Sequence, residues 1–371
     1  MAGIGQCLAG WHAVRRFARA VPAPDPAEWP PVLLLKPLHG DEPLLEQALA
    51  TACTQDYPRL RIVCGVQDPA DPAIAVVERL RARFPARDIT LVADATPHGA
   101  NRKIGNLINM LGAVPAAVEG EVVVIADSDI HAAPDWLRRV VAALAQPGVG
   151  LATTLYVGRA ARPGITEHLG CTAITHTFLP GALLARALGR QDCLGATMAL
   201  RAETLAAVGG LPALSDHLAD DNELGRLVRA RGLAVALAAT VPATTVAEAR
   251  LPELLSHELR WARTIRALVP AGFALSALQY PIAWAVLAMV LSWQAWAAGL
   301  VLLAWAMRAV AARGIDRALG QAQTGATMAL LPLRDVLSLG LVVAAHFGRR
   351  VRWRGALLNA LARRLTCARS P

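Results

Sequence analysis

Four short runs of apolar, mostly branched residues punctuate the N-terminal part of the chain: VLLLK (32–36), LRIVCGV (60–66), ITLVA (89–93) and EVVVIA (121–126). Helical stretches fit at 42–54, 72–84 and 103–112 between them, and at 134–145 after the last. Runs that do not alternate with polar residues read as strands buried on both faces. Separated by helices, they read as a mostly parallel sheet of the α/β class. Such sheets take ligands in the crevice beyond the carboxyl ends of their strands, and the polar residues collect there. The first run ends in Lys36-Pro37, the second leads into Gln67-Asp68, and the fourth runs straight into Asp127-Ser128-Asp129.

The remainder of the chain divides by composition. VPAPDPAEWPP (21–31) cannot continue a helix and reads as a linker, and the weakly apolar MAGIGQCLAGWHAV before it is too short to span a bilayer, like the stub of an anchor. Past residue 150 come a strand, short helix and glycine turn (195–210), a helix at 215–232 and an arginine-rich helix at 252–268. Apolar residues make up 55% of the chain, above the roughly 45–50% of soluble proteins. The excess collects after residue 267. The stretch 281–307, with 269–280 before it, is long enough for a tight pair of membrane spans, whereas 326–347, interrupted by Arg334 and Asp335, reads as an interfacial or re-entrant helix. The expected parts are thus 1–31, a domain at 32–268, and a membrane-associated region at 269–371 with a basic tail.

The net charge of +9 sits largely beside apolar stretches, as in Arg349, Arg350, Arg352 and Arg354. Basic flanks mark the cytoplasmic side of a membrane. Nucleic acid is excluded as a partner, because no basic face is interleaved with aromatics and only 5% of residues are aromatic. The six cysteines show no C-x-x-C spacing and read as reduced, small apolar residues.

Asp127 and Asp129, on a loop at the rim of the sheet, offer the hard oxygens that Mg²⁺ or Mn²⁺ prefers when it shares its shell with a diphosphate. Asp129 can equally cap the helix that follows, and the D-x-D alone does not decide between the two. Asp68, also after a strand, can accept hydrogen bonds from a ribose or base, or simply form an Asp-Pro turn. Lys103 and Asn106 stand near a helix start suited to phosphate. Asp220 and Asp221 lie side by side with Glu223 close by, and like-charged neighbours raise a pKa toward that of a general base. Arg260, Arg263 and Arg266 share one side of a helix, where one or more can meet a diphosphate and the rest lipid headgroups. Trp261 can stack on a sugar or sit at a membrane interface.

In this order these residues resemble the family-2-type glycosyltransferases with their D, D-x-D, (E/D)D and Q-x-x-R-W series. Within them the sequence resembles the ceramide glucosyltransferase-like family, which includes bacterial sphingolipid and hopanoid glycosyltransferases. The likeness covers roughly 32–268 and extends to RRVRWRG. It implies a nucleotide-diphospho-sugar transferase domain of the A type followed by membrane helices, on the cytoplasmic face of a bacterial inner membrane. It also implies inverting transfer from UDP-glucose or UDP-N-acetylglucosamine to a membrane lipid, ceramide or a hopanoid alcohol, with a divalent cation. Asp68 would then bind uridine, and Asp127 and Asp129 would hold ribose, metal and diphosphate. Asp221 would be the base, Asp220 its acidic partner, and Arg260 with Trp261 the diphosphate and acceptor clamp. His257 stands where the broader pattern has Gln, leaving its contact open. The rival readings are an Asp-nucleophile phosphotransferase, which carries its D-x-D on the first strand rather than the fourth, and an inert membrane scaffold, against which Asp221 and Arg260 argue.

Overall fold

The computed structural model describes residues 1–115, 120–322, 325–348, 350–353 and 356–359. Arg349, Arg354 and the tail from 360 onward, Cys367 included, lie outside the described residues.

Strands β1 (Val32–Pro37), β2 (Leu60–Val66), β3 (Asp88–Ala93) and β4 (Val122–Ala126) run parallel, as their unbroken apolar character requires. Their alternate side chains feed two separate cores. Leu34, Ile62 and Val124 meet α2 (Leu45–Cys53), α3 (Ala73–Arg83) and α5 (Trp136–Leu144) on one face. Leu33, Val63, Val123 and Ile125 meet α4 (Arg102–Gly112) and α9 (Asp220–Ala230) on the other. Fully burying each such side chain stabilises by about 1.5–3 kcal/mol.

The seven-stranded sheet has the order β3-β2-β1-β4-β8-β6-β9 and is mixed. Strand β8 (Thr197–Arg201) runs antiparallel between β4 and β6 (Val149–Thr153), and β9 (Ala234–Leu237) runs parallel to β6. The reversal brings the start of β8 to the carboxyl end of β4, where the Asp127 N–H donates to the Ala196 carbonyl at 3.3 Å. A small second sheet, β5 (Ile130–His131), β10 (Ala243–Val246) and β7 (Val157–Ala160), covers that edge. From β7 the chain passes into α6 (Ile165–Ala173), a π-turn (Ile174–Phe178) and α7 (Leu179–Ala187), joined without a break.

The apolar region differs from the expectation. Helices α13 (Ala295–Leu319, 25 residues) and α14 (Gly325–His346, 22 residues) are each long and apolar enough to cross a membrane. The broken element lies earlier, where 270–279 and α12 (Pro281–Ser292) meet at 69°, a broken span or re-entrant loop. Prolines at 270 and 281 start the two pieces, each lacking the N–H that would continue the preceding helix. Arg334 and Asp335 do not interrupt α14, because both turn inward and are buried, while Leu333, Val336 and Val343 face outward. Polar inside and apolar outside is the arrangement a bilayer selects. The N-terminal segment forms α1 (Ala2–Ala18), packed along α7 and α13 with Ile4 and Val14 buried.

Candidate active site

Lys36, at the end of β1, is 1% exposed and lies beneath the D-x-D loop, donating to the Asp127 carbonyl at 2.8 Å. Burial pushes its ammonium down to about 8, against the pull of Asp129 and Asp127. Above the loop, Lys103 Nζ stands 2.7 Å from Asp127 Oδ1 and 3.9 Å from Asp220 Oδ2. Burial works against its charge, yet Asp127 and Asp220 hold its pKa above the ordinary lysine value. Lys103 reaches both because the start of α4 is stitched to the chain before α9. The Asn101 N–H donates to Ser215 O at 2.7 Å, and its side-chain amide donates to His217 O at 2.8 Å and to Asp220 Oδ1 at 3.3 Å. The Asn101 oxygen accepts from Ile104 N as the helix N-cap.

Two carboxylates are left under-compensated. Asp129 accepts from Thr244 Oγ1 at 2.6 Å, but burial first, and then Asp127, push its pKa up to about 6. Asp221, half-buried in the first turn of α9, is pushed up to about 7 by burial and then by Asp220. A Cβ at Gly195 would stand 3.1 Å from Asp221 Oδ2, so a larger residue there would displace the carboxylate. Asp127, Asp129, Asp220, Asp221 and Lys103, expected from separate motifs, thus come together at one sheet edge.

The other expected residues are placed differently. Asp68 is exposed beyond β2 and accepts from Ala70 N at 2.8 Å in its Asp-Pro turn, on the same edge but outside the cluster. Asn106 is a correction to the phosphate reading: it is buried, and its amide donates to Gly65 O at 2.7 Å, securing the end of β2. On α10 (Leu251–Leu268), His257 binds Glu248 and packs edge-on against Trp261 with ring centroids 4.6 Å apart. Arg260 sits one turn beyond His257 on that helix. Arg263 donates to Phe347 O at 2.9 Å, and Arg266 to His346 O and Gly348 O at 3.3 Å each. Those two arginines cap the carbonyl end of α14, where a cation is favoured.

Sequence reading placed Lys36 at the ligand edge without giving it a role, and did not single out Asn101 or Thr244. A lysine closing an otherwise apolar strand was a visible signal, whereas Thr244 sits in a segment with no pattern to mark it. Among the described residues no three His, Cys, Asp or Glu side chains gather as a metal cage. A pair of hard carboxylates whose mutual repulsion a cation would relieve nevertheless fits Mg²⁺ or Mn²⁺ that completes its shell from a diphosphate and water.

A family model described as Glycosyl transferase family 21 matches residues 1–364. Ceramide glucosyltransferase 1 of Caenorhabditis elegans is 24% identical over 280 residues, 73% of this chain and 57% of that protein. A ceramide glucosyltransferase of Komagataella phaffii is 29% identical over 138 residues, 36% of this chain and 26% of that protein. The chain therefore spans about a quarter to just over half the length of these relatives. A mannosyltransferase of Pyrobaculum calidifontis, solved in complex with GDP-Man and Mn²⁺, superposes with a TM-score of 0.54 at 22% identity, covering 93% of this chain and 96% of that one. That likeness establishes the glycosyltransferase A-type fold with its mostly parallel sheet. Matched over nearly its whole length, the chain belongs to glycosyl transferase family 21, the ceramide glucosyltransferase family.

Proposed function

We propose that the protein is an inverting glycosyltransferase that moves a sugar from a UDP-sugar, UDP-glucose or UDP-N-acetylglucosamine, to the hydroxyl of a ceramide-type membrane lipid. The observation that carries this reading is Asp221: a carboxyl pushed up to about 7 beside a D-x-D at the ligand edge of the sheet. Asp221 takes the proton of the acceptor hydroxyl, whose oxygen forms a bond to the anomeric carbon as the bond to UDP breaks on the opposite face. Burial keeps Asp221 basic, and Asp220, held in place by Asn101 and Lys103, adds its like charge to that effect. Asp127 and Asp129 would hold a divalent cation, Mg²⁺ or Mn²⁺, which when bound would neutralise charge on the leaving diphosphate. Lys36 and Lys103 fix the loop that carries them. Asp68, open beyond β2, is available to the uridine. Arg260 and Trp261 serve as diphosphate and acceptor clamp, with His257 orienting Trp261.

The apolar exterior of α13 and α14 supports an integral membrane protein, and we place its catalytic domain on the cytoplasmic face of a bacterial inner membrane. The test is incubation of membranes containing the protein with radiolabelled UDP-glucose and UDP-N-acetylglucosamine, followed by identification of the labelled lipid. Label in a ceramide-type lipid that disappears on chelation supports the reading. Label in a hopanoid alcohol replaces the acceptor, and label in no lipid overturns the reading.

A further inference from the structure

A path of hydrogen bonds, turn backbone and strand register links the apolar helix α13 to Asp129. Arg308, 2% exposed, donates from Nη1 to the His176 carbonyl at 2.8 Å and from Nη2 to Thr177 Oγ1 at 2.9 Å. Eight residues on, about two turns along the same helix, Asp316 Oδ1 stands 2.7 Å from His176 Nε2. Both therefore grip the π-turn at Ile174–Phe178. π-Turns are frequent at functional sites, and Thr175 is buried within this one. Thr175 Oγ1 accepts the Gly158 N–H at 3.1 Å. On β7, Gly158 is the register partner of Thr244 on β10, and Thr244 donates to Asp129. The spacing is tight: a Cβ at Gly158 would fall 2.5 Å from Cys171 Cα, so only glycine lets β7 lie so close to α6.

We infer that Thr175, with Arg308 and Asp316 behind it, is a positioning residue for Asp129, so that α13 sets the geometry of the carboxylate that meets the donor's diphosphate and cation. The inference rests on the proposed role of Asp129 in holding the cation. Partners that orient a metal-binding carboxylate weigh on affinity as well as rate. Thr175→Val keeps the shape but removes the acceptor for Gly158, and Thr175→Ser restores it.

The experiment is a Mn²⁺ titration of the full-length protein in detergent with UDP, read by paramagnetic resonance, beside transfer assays and thermal unfolding. In Thr175→Val, Mn²⁺ affinity is expected to fall about 10-fold, with an equal rise in the Mn²⁺ needed for half-maximal transfer and an unchanged lipid KM. Thr175→Ser is expected to recover wild-type values, and Arg308→Lys, which cannot fork to both His176 and Thr177, to repeat the loss. Mn²⁺ binding by Thr175→Val equal to wild type overturns the inference whatever the activity. So does a loss explained wholly by a lower unfolding midpoint, or one that Thr175→Ser fails to recover. Wild-type protein that binds Mn²⁺ only without UDP overturns the role given to Asp129, and this inference with it.

Discussion

The protein holds buried charge in two places and treats it in opposite ways. Among the apolar helices each acid has its own base: Arg334 binds Glu258 with two contacts of 2.9 Å, Arg308 stands 3.3 Å from Asp335, and Asp316 meets His176. At the sheet edge, Asp127, Asp129, Asp220 and Asp221 share the cations Lys36 and Lys103, and two of the four acids are pushed up to about 6 and about 7. Pairing makes charge inert and lets it build structure. Crowding keeps it reactive at the cost of stability.

The largest expected effect on this comparison comes from Asp221→Asn. It should lower transfer by about 10²–10⁴-fold, the range for loss of a general base, while calorimetry finds UDP binding retained. Because the raised carboxyl destabilises the folded state above about pH 7 and not below the ordinary carboxylate range, the same variant should unfold at a higher temperature than wild type at pH 8 but not at pH 4. Wild-type turnover in this variant would leave the crowded cluster without its base. Arg334→Ala, by contrast, strands Glu258 in a closed pair and should cost about 3–5 kcal/mol, measured as loss of folded protein after extraction, with the activity of whatever remains folded little changed. The smallest effect is a shift. In wild type kcat/KM falls as pH drops through about 7 and the base takes up a proton. Asp220→Asn removes the like charge but not the burial, which is the larger cause, so its acid limb moves part of the way toward the ordinary carboxylate range. An unmoved limb in the pH–rate profile would uncouple the two aspartates.

Much of this was legible in the sequence, and the reasons divide along the same line. The parallel strands β1 to β4 announced themselves because burial on both faces leaves no polar position to confuse the pattern. Asp127, Asp129, Asp220 and Asp221 were found because carboxylates at strand ends and helix starts are conspicuous, and their convergence followed from the rule of the sheet edge. The antiparallel direction of β8 was not legible, since its apolar residues read the same either way. Asn106, Arg263 and Arg266 misled for a shared reason: a polar side chain in sequence does not reveal whether its partner is a ligand or a backbone carbonyl. Arg334 and Asp335 misled because hydropathy counts charges without knowing which way they face.

The place of β8 in the sheet also imposes an order on assembly. It lies between β4 and β6 yet is synthesised after both, so β6 cannot join the β1–β4 sheet until residues 197–201 have left the ribosome. Strands β1 to β4 can associate earlier as a half-sheet with short chain separations. The N–H of Asp127, however, waits for the carbonyl of Ala196. The loop bearing the paired aspartates thus sets after the half-sheet that carries it, once the chain has been made well past β4.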